Sequence, residues 1–140
     1  MIQVNIIGTG NVAWHLAKRF ETLSSVRLQQ VCGRSPAALT PFVDLARKTV
    51  NISQLKPADI TIITVSDDAV VEVSEAIPFS GELVVHTSGS IAMEALSSKN
   101  RKGVFYPAQS FSIADAVDFQ NVPICLEYEH RTDKDILGGL

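Results

Sequence analysis

The sequence predicts an α/β fold: a doubly wound, mainly parallel sheet with helices on both faces. Three observations carry that expectation. Aliphatic and β-branched runs alternate with stretches whose apolar residues recur at helical spacing, the pattern of βαβ units with right-handed crossovers. The run Ile60-Thr61-Ile62-Ile63-Thr64-Val65 is apolar or β-branched throughout, without the alternation of a half-solvated strand, so it reads as a central parallel strand covered on both faces. Finally, Gly8-Thr9-Gly10-Asn11-Val12-Ala13 joins the first strand to the first helix through a G-x-G-x-x-A turn.

The elements follow in order. Ile2 to Ile7 mixes alternation with β-branched residues and stops at glycine, a strand. Val12, Ala13, Leu16, Ala17 and Phe20 form the apolar stripe of a helix. A second strand spans Leu28 to Cys32 and ends at Gly33-Arg34-Ser35-Pro36, where Ser35 can cap a helix and Pro36 suits its first position. Ala38, Leu39, Phe42, Val43 and Ala46 mark that second helix. A brief strand is expected at 49–52, and after the central strand a helix carries Val70, Val73 and Ile77, with Pro78 at its end. Leu83 to His86 is the next strand, followed by a short helix through Ala92, Ala95 and Leu96, then strands at Gly103 to Tyr106 and Val122 to Leu126. Asp133 to Leu140 reads either as a short tail or as the opening of another helix, with a further domain absent from this chain; the second is the expectation.

Composition narrows the function. The chain has 140 residues, of which 46% are hydrophobic and 19% charged, enough for one domain with its own core and unlike a disordered chain. Twelve Lys+Arg against fifteen Asp+Glu give a net charge of −3, with no basic run, so no nucleic-acid or membrane partner is expected. No stretch approaches the roughly 18 consecutive apolar residues of a spanning helix. No positively charged segment precedes the first apolar run, which argues against a signal peptide. Cys32 and Cys125 match no metal or redox spacing and each sits in an apolar run, so both read as buried, reduced thiols, which fits a cytoplasmic compartment. No metal site is expected.

The glycine turn carries the chemistry. In the Rossmann fingerprint Gly8 permits the tight turn, Gly10 lets the backbone approach a pyrophosphate, and Ala13 allows the helix to pack closely on the sheet. A helix beginning near Asn11 adds amide donors and a positive dipole end. NAD-preferring folds place an acidic residue on the second strand to hold the ribose hydroxyls. None lies between Arg27 and Ser35 here; Arg34 and Ser35 stand there instead, a cationic fork beside a hydroxyl that suits a 2′-phosphate. The expected cofactor is therefore NADP, with Arg34 as an ordinary loop arginine the competing reading.

Ligands of open parallel sheets lie across the C-terminal strand ends, so three more loops matter. Ser66-Asp67-Asp68 either lines the nicotinamide side or simply opens a helix with favourable first-turn charge. His86-Thr87-Ser88-Gly89-Ser90 resembles an anion or carboxylate cradle at a helix start. Within it Ser88 can bond a substrate or the nicotinamide amide, and His86 is either a proton-transfer group or a structural histidine. In the last loop Tyr106 can donate a proton or pack against a neighbouring domain, and Gln109 can bind a polar ligand.

These segments together resemble a bacterial Rossmann-like family assigned as NADP oxidoreductases with a second, helical domain of unknown function. Val4 to Ala13, Val31-Cys32-Gly33-Arg34-Ser35, Val65-Ser66-Asp67-Asp68-Ala69-Val70 and His86-Thr87-Ser88-Gly89-Ser90 carry the resemblance. Relatives of that family include pyrroline-5-carboxylate reductase, the 6-phosphogluconate dehydrogenase group and the deazaflavin-dependent NADP reductases. The resemblance implies that Gly8, Thr9, Gly10, Asn11 and Val12 meet the pyrophosphate, and Arg34 and Ser35 the 2′-phosphate. Val65, Ser66 and Asp67 would border the ribose and nicotinamide, with Ser88 and Gly89 facing a small-molecule substrate. It also implies a homodimer formed through the C-terminal helical domain. The family commonly shows His-Pro where this chain has Tyr106-Pro107. The implied function is NADP(H)-dependent hydride transfer to or from a small polar substrate; the competing reading is a non-catalytic dinucleotide sensor.

Overall fold

The computed structural model describes residues 1–42, 47–107 and 124–140. Its seven strands are β1 (Ile2–Ile7), β2 (Val26–Cys32), β3 (Arg47–Thr49), β4 (Ile60–Ile63), β5 (Leu83–His86), β6 (Arg101–Pro107) and β7 (Ile124–Tyr128). They form one sheet in the order β3-β2-β1-β4-β5-β6-β7, parallel except for the antiparallel edge strand β7. The order reverses between β1 and β4, so the connections that leave these two strands run to opposite sides and a crevice opens between them. Among the described residues four helices accompany the strands: α1 (Asn11–Glu21), α2 (Pro36–Leu39), α3 (Val70–Ala76) and α4 (Asp133–Gly138).

Strand alternation divides two cores across the sheet. Val4 and Ile6 of β1, Ile60 and Ile62 of β4, and Leu83 and Val85 of β5 face Ala13, Leu16, Ala17 and Phe20 of α1, joined by Phe42 and by Leu137 of α4. Their neighbours Ile7, Ile63 and Val84 face the opposite way, against Val70 and Ile77 around α3, with Leu55 and Leu96. All four residues of β4 are buried, as the absence of alternation predicts. α4 is a docked helix rather than a loose tail: Leu137 is buried in the first core, and buried Asp133 accepts from Arg101 Nε at 3.2 and 3.1 Å through its two carboxylate oxygens.

Several expectations are corrected. Ser35 does cap α2, its Oγ accepting from Ala38 N–H at 3.2 Å, and Pro36 sits in the first turn. But α2 tightens after one turn into a 3₁₀ turn at Thr40–Phe42, because Pro41 lacks an amide hydrogen. Leu39 and Phe42 are buried as expected, whereas Val43 and Ala46 lie outside the described residues. The strand expected at 49–52 is instead Arg47–Thr49; Asn51 Oδ1 accepts from Ser53 N–H at 3.0 Å and turns the chain into a 3₁₀ turn at Ile52–Gln54. The helix expected around Ala92 to Leu96 is a single 3₁₀ turn, Met93–Ala95. Cys125 is exposed, not buried, because it lies on the edge strand β7; Cys32 is buried, and burial pushes its thiol pKa up.

Candidate functional site

The crevice between β1 and β4 is shaped by Gly8. Its φ of +120° is strained for any L side chain, and a Cβ there would lie 2.2 Å from Thr64 Oγ1. Thr64 in turn donates its N–H and its hydroxyl to Ile7 O at 2.8 and 3.0 Å, closing the two strand ends together. Gly8 N–H donates to Cys32 O at 2.8 Å, which draws in the end of β2. Gly10 is different: a Cβ there would meet nothing within 4 Å. It is the N-cap of α1, with no side-chain cap bond and no acidic residue in the first turn. The first helical bond runs from Trp14 N–H to Gly10 O at 3.0 Å. A polarised, donor-rich helix end thus opens at a position with room for a ligand.

That end borders a cavity of about 650 Å³. The turn after β1 contributes Gly8, Thr9 and Gly10; the end of β2 and the residues after it contribute Cys32, Gly33 and Arg34; the segment after β4 contributes Thr64, Val65 and Ser66. Of the sequence-predicted cofactor residues the cavity thus joins Gly8, Thr9, Gly10, Arg34, Val65 and Ser66, whereas Asn11, Val12, Ser35 and Asp67 are not in its lining and Cys32, Gly33 and Thr64 are additions to the expected set. It also adds residues that sequence reasoning missed. Val50 and Ile52 bound the cavity after β3, and Glu72, Val73 and Ala76 of α3 bound it too. The first pair was hidden by the strand assigned to 49–52; the second group was legible only as a helix stripe. Val12 is half-buried against the first core, so its contribution at the helix end is its backbone. The Ser35 hydroxyl accepts the α2 cap bond, which leaves its own proton for donation.

A second cluster sits at the ends of β4, β5 and β6. Ser90 Oγ–H donates to Asp67 Oδ2 at 2.8 Å, Ser88 Oγ and Ser90 Oγ are 3.2 Å apart, and Ser90 N–H donates to Ser88 Oγ at 3.1 Å. Ser90 and Ser88 hydroxyls hold the Asp67 carboxyl below its ordinary pKa. His86 is fully buried; its Nδ1 accepts from Ser88 N–H at 3.0 Å, and its Nε2 has no hydrogen-bond partner among the described residues. Burial pushes the imidazole pKa down, against the opposing pull of backbone groups at Ile91 and Ala92 and the charges of Asp67 and Glu127. The neutral ring so favoured fixes the loop from beneath. It faces the interior, not the solvent, so proton transfer to an entering ligand finds no support in its position.

No helix starts at Gly89, so the cradle expected there lacks a helix end: local bonds to Ser88 and His86 occupy the backbone instead. Gly89 serves a close approach, since a Cβ on it would lie 2.7 Å from Tyr106 Cε2. Tyr106 thus packs its half-buried ring over the loop. Gln109 lies outside the described residues. Among the described residues no group of three or more His, Cys, Asp or Glu could hold a metal ion, and no helix is long and apolar enough to cross a membrane.

No protein-family model matches the chain, and no curated protein matches it. Solved structures do. A Bacteroides fragilis protein named a putative NADP oxidoreductase superposes with a TM-score of 0.85 at 31% identity, over 97% of this chain and 55% of its own. The chain has the Rossmann-type fold of NAD(P)-dependent oxidoreductases. The same Rossmann sheet recurs in Synechocystis arogenate dehydrogenase, with a TM-score of 0.75 and 19% identity over 98% of this chain and 54% of that one. It recurs again in prephenate dehydrogenase from A. aeolicus, solved with hydroxyphenyl propionate and NAD+ (TM-score 0.68, 16% identity, 99% and 54% covered). The chain spans about half the length of these structures.

Proposed function

We propose that the chain is the NADP(H)-binding domain of an oxidoreductase that transfers a hydride to or from a small polar substrate. The observation that carries this is the cavity at the uncapped α1 end: Gly10 has open space before it, Gly8 admits no side chain, and Arg34 lines the same space. A pyrophosphate fits the donors of the Gly8–Val12 turn, and a 2′-phosphate fits Arg34 with the Ser35 hydroxyl. Val65, Ser66 and Asp67 then border the ribose and nicotinamide, with Ser88 and Tyr106 beside them. The nicotinamide supplies the redox chemistry when bound, and these residues supply position and electrostatics.

A helical domain beyond this chain would complete the cleft and form a homodimer, as the sequence resemblance implies. Calorimetric titration with NADPH and NADH tests the cofactor. NADPH is expected to bind more tightly, and Arg34→Ala to weaken it by about tenfold or more while leaving NADH nearly unchanged, the size of one charge-assisted phosphate contact. Equal affinity of the two cofactors for the unaltered chain would falsify the assignment to NADP. Two observations favour the sensor reading instead: His86 is buried, and Tyr106 stands where the resembling family has histidine. Tight NADPH binding by the full-length protein without turnover of any aldehyde, imine or keto acid would decide for it.

A further inference from the structure

We propose that Asp67, Ser88 and Ser90 form an acceptor site for an N–H donor: a protonated amine or imine nitrogen of the substrate, or the amide NH₂ of the nicotinamide. The proposal rests on the dinucleotide reading and gives the far side of that site a polarity. It replaces the anion or carboxylate cradle expected from the sequence of this loop.

Each serine hydroxyl has one proton to give. That of Ser90 goes to Asp67 Oδ2, 2.8 Å away. Ser90 then has no proton left for the 3.2 Å contact between the two hydroxyls, so the Ser88 proton goes either to Ser90 Oγ or directly to the Asp67 carboxylate, whose pKa Ser88 also lowers. Ser88 Oγ also accepts from Ser90 N–H at 3.1 Å. Both hydroxyl protons thus run toward the Asp67 carboxylate, and what the three side chains have left is lone pairs. The hydroxyls of Ser90 and Ser88 favour the ionised form of the Asp67 carboxyl, and among the described residues no lysine or arginine forms a salt bridge with it.

The arrangement is also fixed in place. Ser88 N–H is bound to Nδ1 of fully buried His86, Tyr106 closes over Gly89, and Thr87 Oγ1 donates to Ile63 O at 3.5 Å. A carboxylate brought here meets lone pairs and a like charge. An N–H donor meets acceptors already oriented, and a cationic one gains the most. The α1 end and this corner then have opposite polarities, one made for phosphates and one for a donor.

Two comparisons on the folded chain test this, each with Asp67→Ala and Ser90→Ala as exposed, readily tolerated variants. In the first, methylammonium and acetate are titrated separately and the amide signals of Ser88, Gly89 and Ser90 are followed. In the second, NADPH is compared with its 3-acetylpyridine analogue, in which a methyl ketone replaces the amide and removes its N–H donors. Methylammonium shifting these signals where acetate does not, with either variant weakening the effect about fivefold or more, supports the site and assigns it to the substrate. An analogue that binds about five- to tenfold more weakly than NADPH, with the gap erased by either variant, supports it and assigns it to the cofactor. Acetate acting in place of methylammonium, or variants that change neither comparison, overturns it. A chain that binds no dinucleotide removes the reading of the glycine turn, while the ion titration still decides this corner.

Discussion

A methyl group at Gly8 and a methyl group at Gly10 should have opposite consequences. At Gly8 it meets Thr64 Oγ1 at 2.2 Å in a backbone with φ +120°, so Gly8→Ala is expected to cost about 2–4 kcal/mol of stability in urea unfolding. At Gly10 it meets nothing within 4 Å. Gly10→Ala should lose less than about 1 kcal/mol, the exchange of one N-cap residue for a poorer one, yet bind NADPH about tenfold or more weakly. His86 gives a second prediction at this scale. Its folded pKa is lowered by burial, so it contributes stability that is fully present above its unfolded value of about 6.5 and is lost as pH falls through the folded value. The urea midpoint should fall between pH 7.5 and 5, and His86→Gln should flatten that fall; an unchanged slope would show that the ring titrates normally. Asp67 is lowered as well, so its contribution disappears only in the separate, more acidic window below the ordinary carboxylate pKa.

Among the elements, the strands that carry the site were legible because parallel strands buried on both faces leave a continuous apolar signature. The α1 stripe of Val12, Ala13, Leu16, Ala17 and Phe20 was equally plain; the last four are buried and Val12 is half-buried against the same core. What escaped the sequence was set by local side-chain bonds and by sheet edges. Asn51 ended β3 early and placed Val50 and Ile52 in the cavity. Ser88 and His86 held the next loop out of helix, and the edge position of β7 exposed Cys125. α3 shows another such device. It ends at Ala76 without a glycine, and Lys99 Nζ donates to Glu75 O at 2.7 Å and to Ile77 O, capping the helix from a distant loop. Lys99→Met should therefore lower stability by about 1–2 kcal/mol, read as a shift in urea midpoint with unchanged slope.

At the scale of the whole molecule, the topological switch between β1 and β4 aligns the glycine turn, Arg34 and Ser66 along one cavity, while the loop after β5 stands beside it, bonded through Ser90 to Asp67. Hydride transfer needs cofactor and substrate held in reacting geometry, and the matched structures are nearly twice as long as this chain. In the proposed reading a dinucleotide lies along the α1 end of this chain with its 2′-phosphate at Arg34. Amide chemical-shift mapping during titration with NADPH addresses it most directly. The largest saturable shifts are expected at Gly8, Thr9, Gly10, Asn11 and Val12 together with Arg34. A folded chain whose shifts are absent, or centred instead on the hollow lined by Gln30, Lys48 and Lys56, would contradict it.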